Sequence, residues 1–144
     1  MNADEMITHI RDEAVLAAIR DAESRSSGEI RVLITNRSVT DAVRGAWEAF
    51  ARLKMHQTAR RNAALIFIAP TARKFAIIGD EALHQHCTPG FWNHLATELS
   101  TGFRTGDYTG ALIRVIQQIG DVLATHFPSQ PTDHNELPDE IVRE

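Results

Sequence analysis

The chain has 144 residues, 43% of them apolar and 24% charged, with a formal net charge of −4. These values suit one soluble globular domain with a real core, and the acidic balance argues against wholesale nucleic-acid binding. No apolar run approaches the roughly 20 residues needed to cross a bilayer. The opening Met1-Asn2-Ala3-Asp4-Glu5 lacks the basic start and apolar core of a secretory signal. Cys87 is the single cysteine, so no internal disulfide can form, and the expected setting is cytoplasmic.

Residues 4 to 26 read as helix in two pieces. Met6, Ile7 and Ile10, then Val15, Leu16, Ile19 and Ala22, recur at three- and four-residue spacing and mark one apolar face. Ser26-Ser27-Gly28 stops the helix, and Glu29-Ile30-Arg31-Val32-Leu33-Ile34-Thr35 reads as a strand. Ser38 followed by Asp41 resembles a capping box, opening a helix with Val43, Trp47, Phe50 and Leu53 on one face. Trp47, Phe50, Phe91 and Trp92 read as core. Ala63 to Ala69 is nearly unbroken apolar sequence, and after a short polar break Lys74 to Gly79 is a second run, so the two predict a tight β-hairpin. Strands without polar alternation are covered on both faces.

Beyond the hairpin, Glu81 to Cys87 predicts a short helical turn. Thr88-Pro89 is a cap followed by proline at the first helical position, and Phe91, Trp92, Leu95, Leu99 and Phe103 form the stripe of the helix it opens. Asp107 caps a last helix with the clearest period in the chain: Leu112, Val115, Ile116, Ile119, Val122 and Leu123. Residues 128 to 144, with three prolines and five acids, read as an acidic tail with little independent structure, leaving 1–127 as the domain. The expected fold is a three-layer α/β/α sandwich. Its small mixed sheet has three to four strands, the first two parallel and the third antiparallel to the second, with helices on both faces.

Five separated phrases then stand in one order: Ser26-Ser27-Gly28-Glu29-Ile30-Arg31-Val32, Met55 to Asn62, the hairpin ending Ile78-Gly79-Asp80, Phe91-Trp92, and Phe103-Arg104-Thr105-Gly106-Asp107-Tyr108. Together they resemble the TPM domain family, shared by thylakoid-lumen phosphatase-like proteins and many bacterial proteins, here in its short single-domain form. The resemblance implies a three-layer fold and a binding or interaction role, in maintenance of membrane-protein or envelope complexes. It also carries two other activities: a metal-dependent acid phosphatase, and a domain that binds calcium or another divalent cation. Where relatives often carry a glycine-rich turn after the third strand, this chain has Gly79-Asp80-Glu81-Ala82, so no site is transferred by family name.

Three constellations carry chemistry of their own. Asp80 and Glu81 supply hard oxygens for calcium or magnesium at a strand end, with Asp107 as a third carboxylate, while His84 and His86 would turn the set toward zinc. The plain alternatives are N-caps for Asp80 and Asp107 and solvated side chains for the others. Glu29, a further carboxylate, reads more simply as a solvated or ion-paired edge residue. Between residues 51 and 75 stand six basic residues and no acid. Arg60 and Arg61 enter the second strand, and Arg73 and Lys74 open the third, so the cluster should split between two ends of the hairpin. Either pair suits a carboxylate, a phosphate or an acidic protein partner, or is simply a solvated basic surface. The acidic tail, with Leu137-Pro138 and Ile141-Val142 as apolar anchors, is complementary in charge to that surface, within one chain or between partners. Cys87 lies beside a helix start that can favour a thiolate, but a buried thiol is the simpler reading. No EF-hand, HExxH, paired CxxC or P-loop pattern occurs.

Overall fold

The computed structural model describes residues 3–130 and 140–144. In chain order the elements are α1 (Ala3–His9), α2 (Asp12–Ser24), β1 (Glu29–Ile34), α3 (Ala42–Arg52), β2 (Ala63–Ala69), β3 (Lys74–Gly79), α4 (Glu81–His84), α5 (Pro89–Thr105), α6 (Tyr108–His126) and β4 (Ile141–Arg143), with a 3-10 turn at Met55–Gln57. The sheet order is β3-β2-β1-β4. β1 pairs in parallel with both β2 and β4, whereas β2 and β3 form the antiparallel hairpin.

Every residue of β1 and β2 is buried, because helices cover both sides. Ile30, Val32, Ile34, Ala64, Ile66 and Ile68 face the layer of α2, α5 and α6, where Ile19, Leu99, Leu112 and Ile116 complete one core. Leu33, Leu65 and Phe67 point the other way, onto Ala46, Ala49 and Phe50 of α3. The three-layer α/β/α sandwich expected from the strand pattern is the fold observed. Truncating a fully buried side chain such as Ile116 to alanine costs about 2–5 kcal/mol in cores of this kind.

Close approach sets two glycines. A Cβ on Gly102 would stand 2.3 Å from Ala111 Cβ, so α5 and α6 cross nearly backbone to backbone there. A Cβ on Gly79 would meet Trp92 at 2.8 Å, which lets the indole lie over the end of β3.

Four readings need correction. The cap of α3 is Asp41, whose side chain accepts from the Arg44 amide, and not Ser38. Trp47 and Val43 are 43% and 56% exposed: α3 contacts the sheet through Ala46, Ala49 and Phe50, which turns that edge of its stripe to solvent. Glu29 is 2% exposed, since β1 is interior to the sheet. Within the stretch read as a tail with little structure, Ile141–Arg143 is strand, hydrogen-bonded beside Val32–Ile34. Its flanks add ion pairs, Arg31 to Glu140 at 2.7 Å and Arg52 to Glu144, and Arg143 within it pairs with Asp12. The acid-to-base contacts of this segment thus reach Arg31 and Arg52, and Leu137-Pro138 lies outside the described residues.

Candidate functional site

The β2–β3 hairpin holds the basic residues in two separate places, as its register requires. Ala64 pairs with Gly79 at one end and Ala69 with Lys74 at the other. Arg61 and Asp80 therefore meet beside the first end, and Arg73 lies in the turn at the second.

At the first end the chain turns sharply before β2, and Arg61 takes a left-handed conformation at φ 52°. The Asp80 amide donates to the Ala63 carbonyl at 2.8 Å and the Ala82 amide to the Arg61 carbonyl at 3.1 Å, which ties the two segments together. Arg61 then forks onto Asp80: Nε donates to Oδ2 at 2.7 Å and Nη2 to Oδ1 at 3.0 Å. Oδ1 also accepts the Glu81 amide at 2.8 Å as the cap of α4. The Asp80 side chain is 4% exposed and that of Arg61 42%. The hydrogen bond to Asp80 holds the Arg61 guanidinium above its ordinary pKa, against a smaller lowering by desolvation. A bidentate guanidinium of this geometry is among the strongest of neutral-pH contacts. The residue expected as a metal ligand and the residue expected as an anion binder are thus each other's partners. Glu81 is exposed, 3.6 Å from Arg61 Nη1.

Asp107 is not part of this corner. It caps α6, accepting from the Gly110 amide at 3.1 Å, and pairs with Arg114 at 3.2 Å. His84 stacks on Trp92 and His86 on His126, with ring centroids 6.0 and 4.1 Å apart. Among the described residues no three His, Cys, Asp or Glu side chains gather in a way that could hold a metal ion. Burial pushes the Cys87 thiol above its usual pKa, the opposite of an activated thiolate.

At the second end, the turn Pro70-Thr71-Ala72-Arg73 closes with the Arg73 amide donating to the Pro70 carbonyl, and Arg73 is again left-handed at φ 53°. Beside it opens a groove of about 400 Å³, walled by Met6, Phe75, Phe103 and Tyr108 and edged by Arg73 and Arg104. Phe103 packs edge-on against Phe75, with centroids 6.0 Å apart, and against Tyr108 at 5.4 Å. Among the described residues, no acid lines the groove. Lys74 borders it, but its ammonium donates to the Thr40 carbonyl. Sequence reading singled out Arg73 and Lys74 here and missed Arg104 and the aromatic wall. The Phe103-Arg104…Tyr108 phrase was the available signal.

A second cavity, of about 300 Å³, lies between the end of β1 and α3. Most of its charges are engaged within the chain, Arg44 with Glu48 at 3.3 Å and Arg52 with Glu144, and Asp41 caps the helix, which leaves Arg37 at its exposed edge.

Comparison with known proteins bears on these features. A family model described as the TPM domain matches residues 2–122. The chain belongs to the TPM domain family. It is similar to the BA42 protein of the psychrophilic bacterium Bizionia argentinensis, whose NMR structure has a TM-score of 0.84 at 34% identity, covering 92% of each chain. The N-terminal domain of the cg2496 protein of Corynebacterium glutamicum is 16% identical with a TM-score of 0.60, over 88% of this chain and 80% of that one, and shares the fold. No curated protein matches the chain. No helix among the described residues of this TPM domain is long and apolar enough to cross a membrane.

Proposed function

We propose that this TPM domain is a binding module whose working surface is the groove at the turn of the β2–β3 hairpin. One observation carries the reading: Arg73 and Arg104 border a concave aromatic surface that no acid lines among the described residues. By contrast, both oxygens of Asp80, the carboxylate a metal-assisted phosphatase would use, accept hydrogen bonds from Arg61. Exposed cations without a carboxylate partner among the described residues, over an apolar concavity, are what an anionic ligand or an acidic partner requires. Service to membrane-protein or envelope complexes is the finer reading that the family likeness supports. A cytoplasmic setting belongs to the same proposal, resting on the lone free Cys87.

The test is a titration of the purified protein with calcium, magnesium and zinc, followed by spectroscopy and by hydrolysis of a generic phosphate ester. The binding-module reading expects no metal-dependent turnover. Turnover that tracks metal occupancy and disappears in D80N would replace it with the phosphatase.

A further inference from the structure

We infer that the hairpin groove takes an amphipathic carboxylate, a small molecule with one anionic head on an apolar body. This rests on the binding-module reading and names the chemistry of its ligand. The walls are apolar and mutually braced: Phe75, Phe103 and Tyr108 form a continuous ring contact, and Met6 closes the side formed by α1. Such a surface gains by covering hydrocarbon and offers little to a bare inorganic ion. The cavity, at about 400 Å³, lies within the range of small-molecule sites.

The rim supplies the other half of the recognition. Arg73 and Arg104 are both exposed, and neither pairs with a carboxylate among the described residues; the Arg104 side chain donates to the Thr101 hydroxyl, at 3.5 Å. Two planar guanidinium forks at the mouth of an apolar groove match a carboxylate geometrically as well as by charge. A head held at the rim keeps its remaining hydration while the tail is covered, so no charge is buried unpaired. The two arginines stand on different elements, Arg73 on the hairpin turn and Arg104 on α5, and both line the one groove.

The probe is sodium decanoate below its micellar concentration, added to the full chain while backbone amide shifts are followed. Decanol supplies the same tail without charge, and inorganic phosphate supplies an anion without a tail. The expected result is saturable shifts centred on Phe75, Phe103, Arg104 and Tyr108 with decanoate, weaker by about tenfold or more in R73Q/R104Q. Both controls should bind far more weakly. Equal affinity for decanol, saturation of the same amides by phosphate alone, shifts centred elsewhere, or unchanged affinity in R73Q/R104Q would each overturn the inference. R104Q alone, a change at an exposed helical position, provides the same reading should the double variant fold poorly. Hydrolysis of a phosphate ester with decanoate binding intact would refute the binding-module reading without touching this one.

Discussion

The two ends of the β2–β3 hairpin use the same device for different purposes. Each places an arginine in the left-handed region, at φ 52° for Arg61 and 53° for Arg73, where a residue with a side chain is strained. Arg61 spends its guanidinium on a buried carboxylate and joins β2 to the start of α4. Arg73 meets no carboxylate among the described residues and stands beside an aromatic groove. Identical backbone strain thus supports a structural clamp in one place and an uncommitted charge in the other. The difference lies wholly in what the fold brings opposite.

The largest effect should come from breaking the clamp. Asp80→Ala removes two charge-assisted hydrogen bonds and the cap of α4, and should lower stability by about 2–3 kcal/mol in urea unfolding. Arg61 is half-exposed and can return to water, which is why the loss stays below that of a fully buried pair. Arg61→Gly relieves the φ strain yet leaves Asp80 buried with the Glu81 amide as its main remaining donor, so its melting temperature should fall as well. A rise in melting temperature for Arg61→Gly would show that strain outweighs pairing and would erase the contrast between the two ends.

Much of the fold was legible because it rests on local periodicity. Ala63 to Ala69 has no polar position, which required cover on both faces, and Thr88 and Asp107 cap the helices their sequences announced. What stayed hidden depends on assembly. Arg61 and Asp80 are 19 residues apart, and only the register of β2 with β3 brings them together. The groove draws on α1, the hairpin, α5 and α6, with α1 and α6 supplying one residue each. Trp47 misled because a helical stripe is wider than the face a helix buries, and β4 was missed because three residues, Ile141 to Arg143, are too short for a period-2 pattern.

A subtler separation of the two ends concerns pH. Burial raises the Cys87 thiol, and the contact with Asp80 raises Arg61. A group whose folded pKa is raised contributes stability below its unfolded value and loses it as pH climbs through the folded one. For both groups that window lies on the alkaline side, so neither makes the clamp sensitive between pH 6 and 8. The expected signature is alkylation of Cys87 that is several-fold slower in the native protein than in urea at pH 8, the gap narrowing only above the thiol's usual range. Equal rates in native and unfolded chains would mean that α4 and the start of α5 open readily and that the clamp end is no more rigid than the groove end.

The smallest effect is the one that most sharpens the comparison. If Arg73 is retained for its charge and not for any internal contact, Arg73→Gly should remove backbone strain at no cost in native pairing. Relief of roughly 1–2 kcal/mol of left-handed strain is offset by about 0.4–1 kcal/mol from the greater freedom glycine gives the unfolded chain, leaving a net stabilisation of up to about 1 kcal/mol. The sign, opposite to that expected for Arg61→Gly, is the discriminating quantity, and urea midpoints of the two variants measured side by side would read it. Matched destabilisation would show that Arg73 is bound into the fold after all. Matched stabilisation would show that the Asp80 contact contributes less than its geometry implies. Opposite signs leave a strained arginine whose charge the folded chain does not use, at the mouth of a groove able to use it.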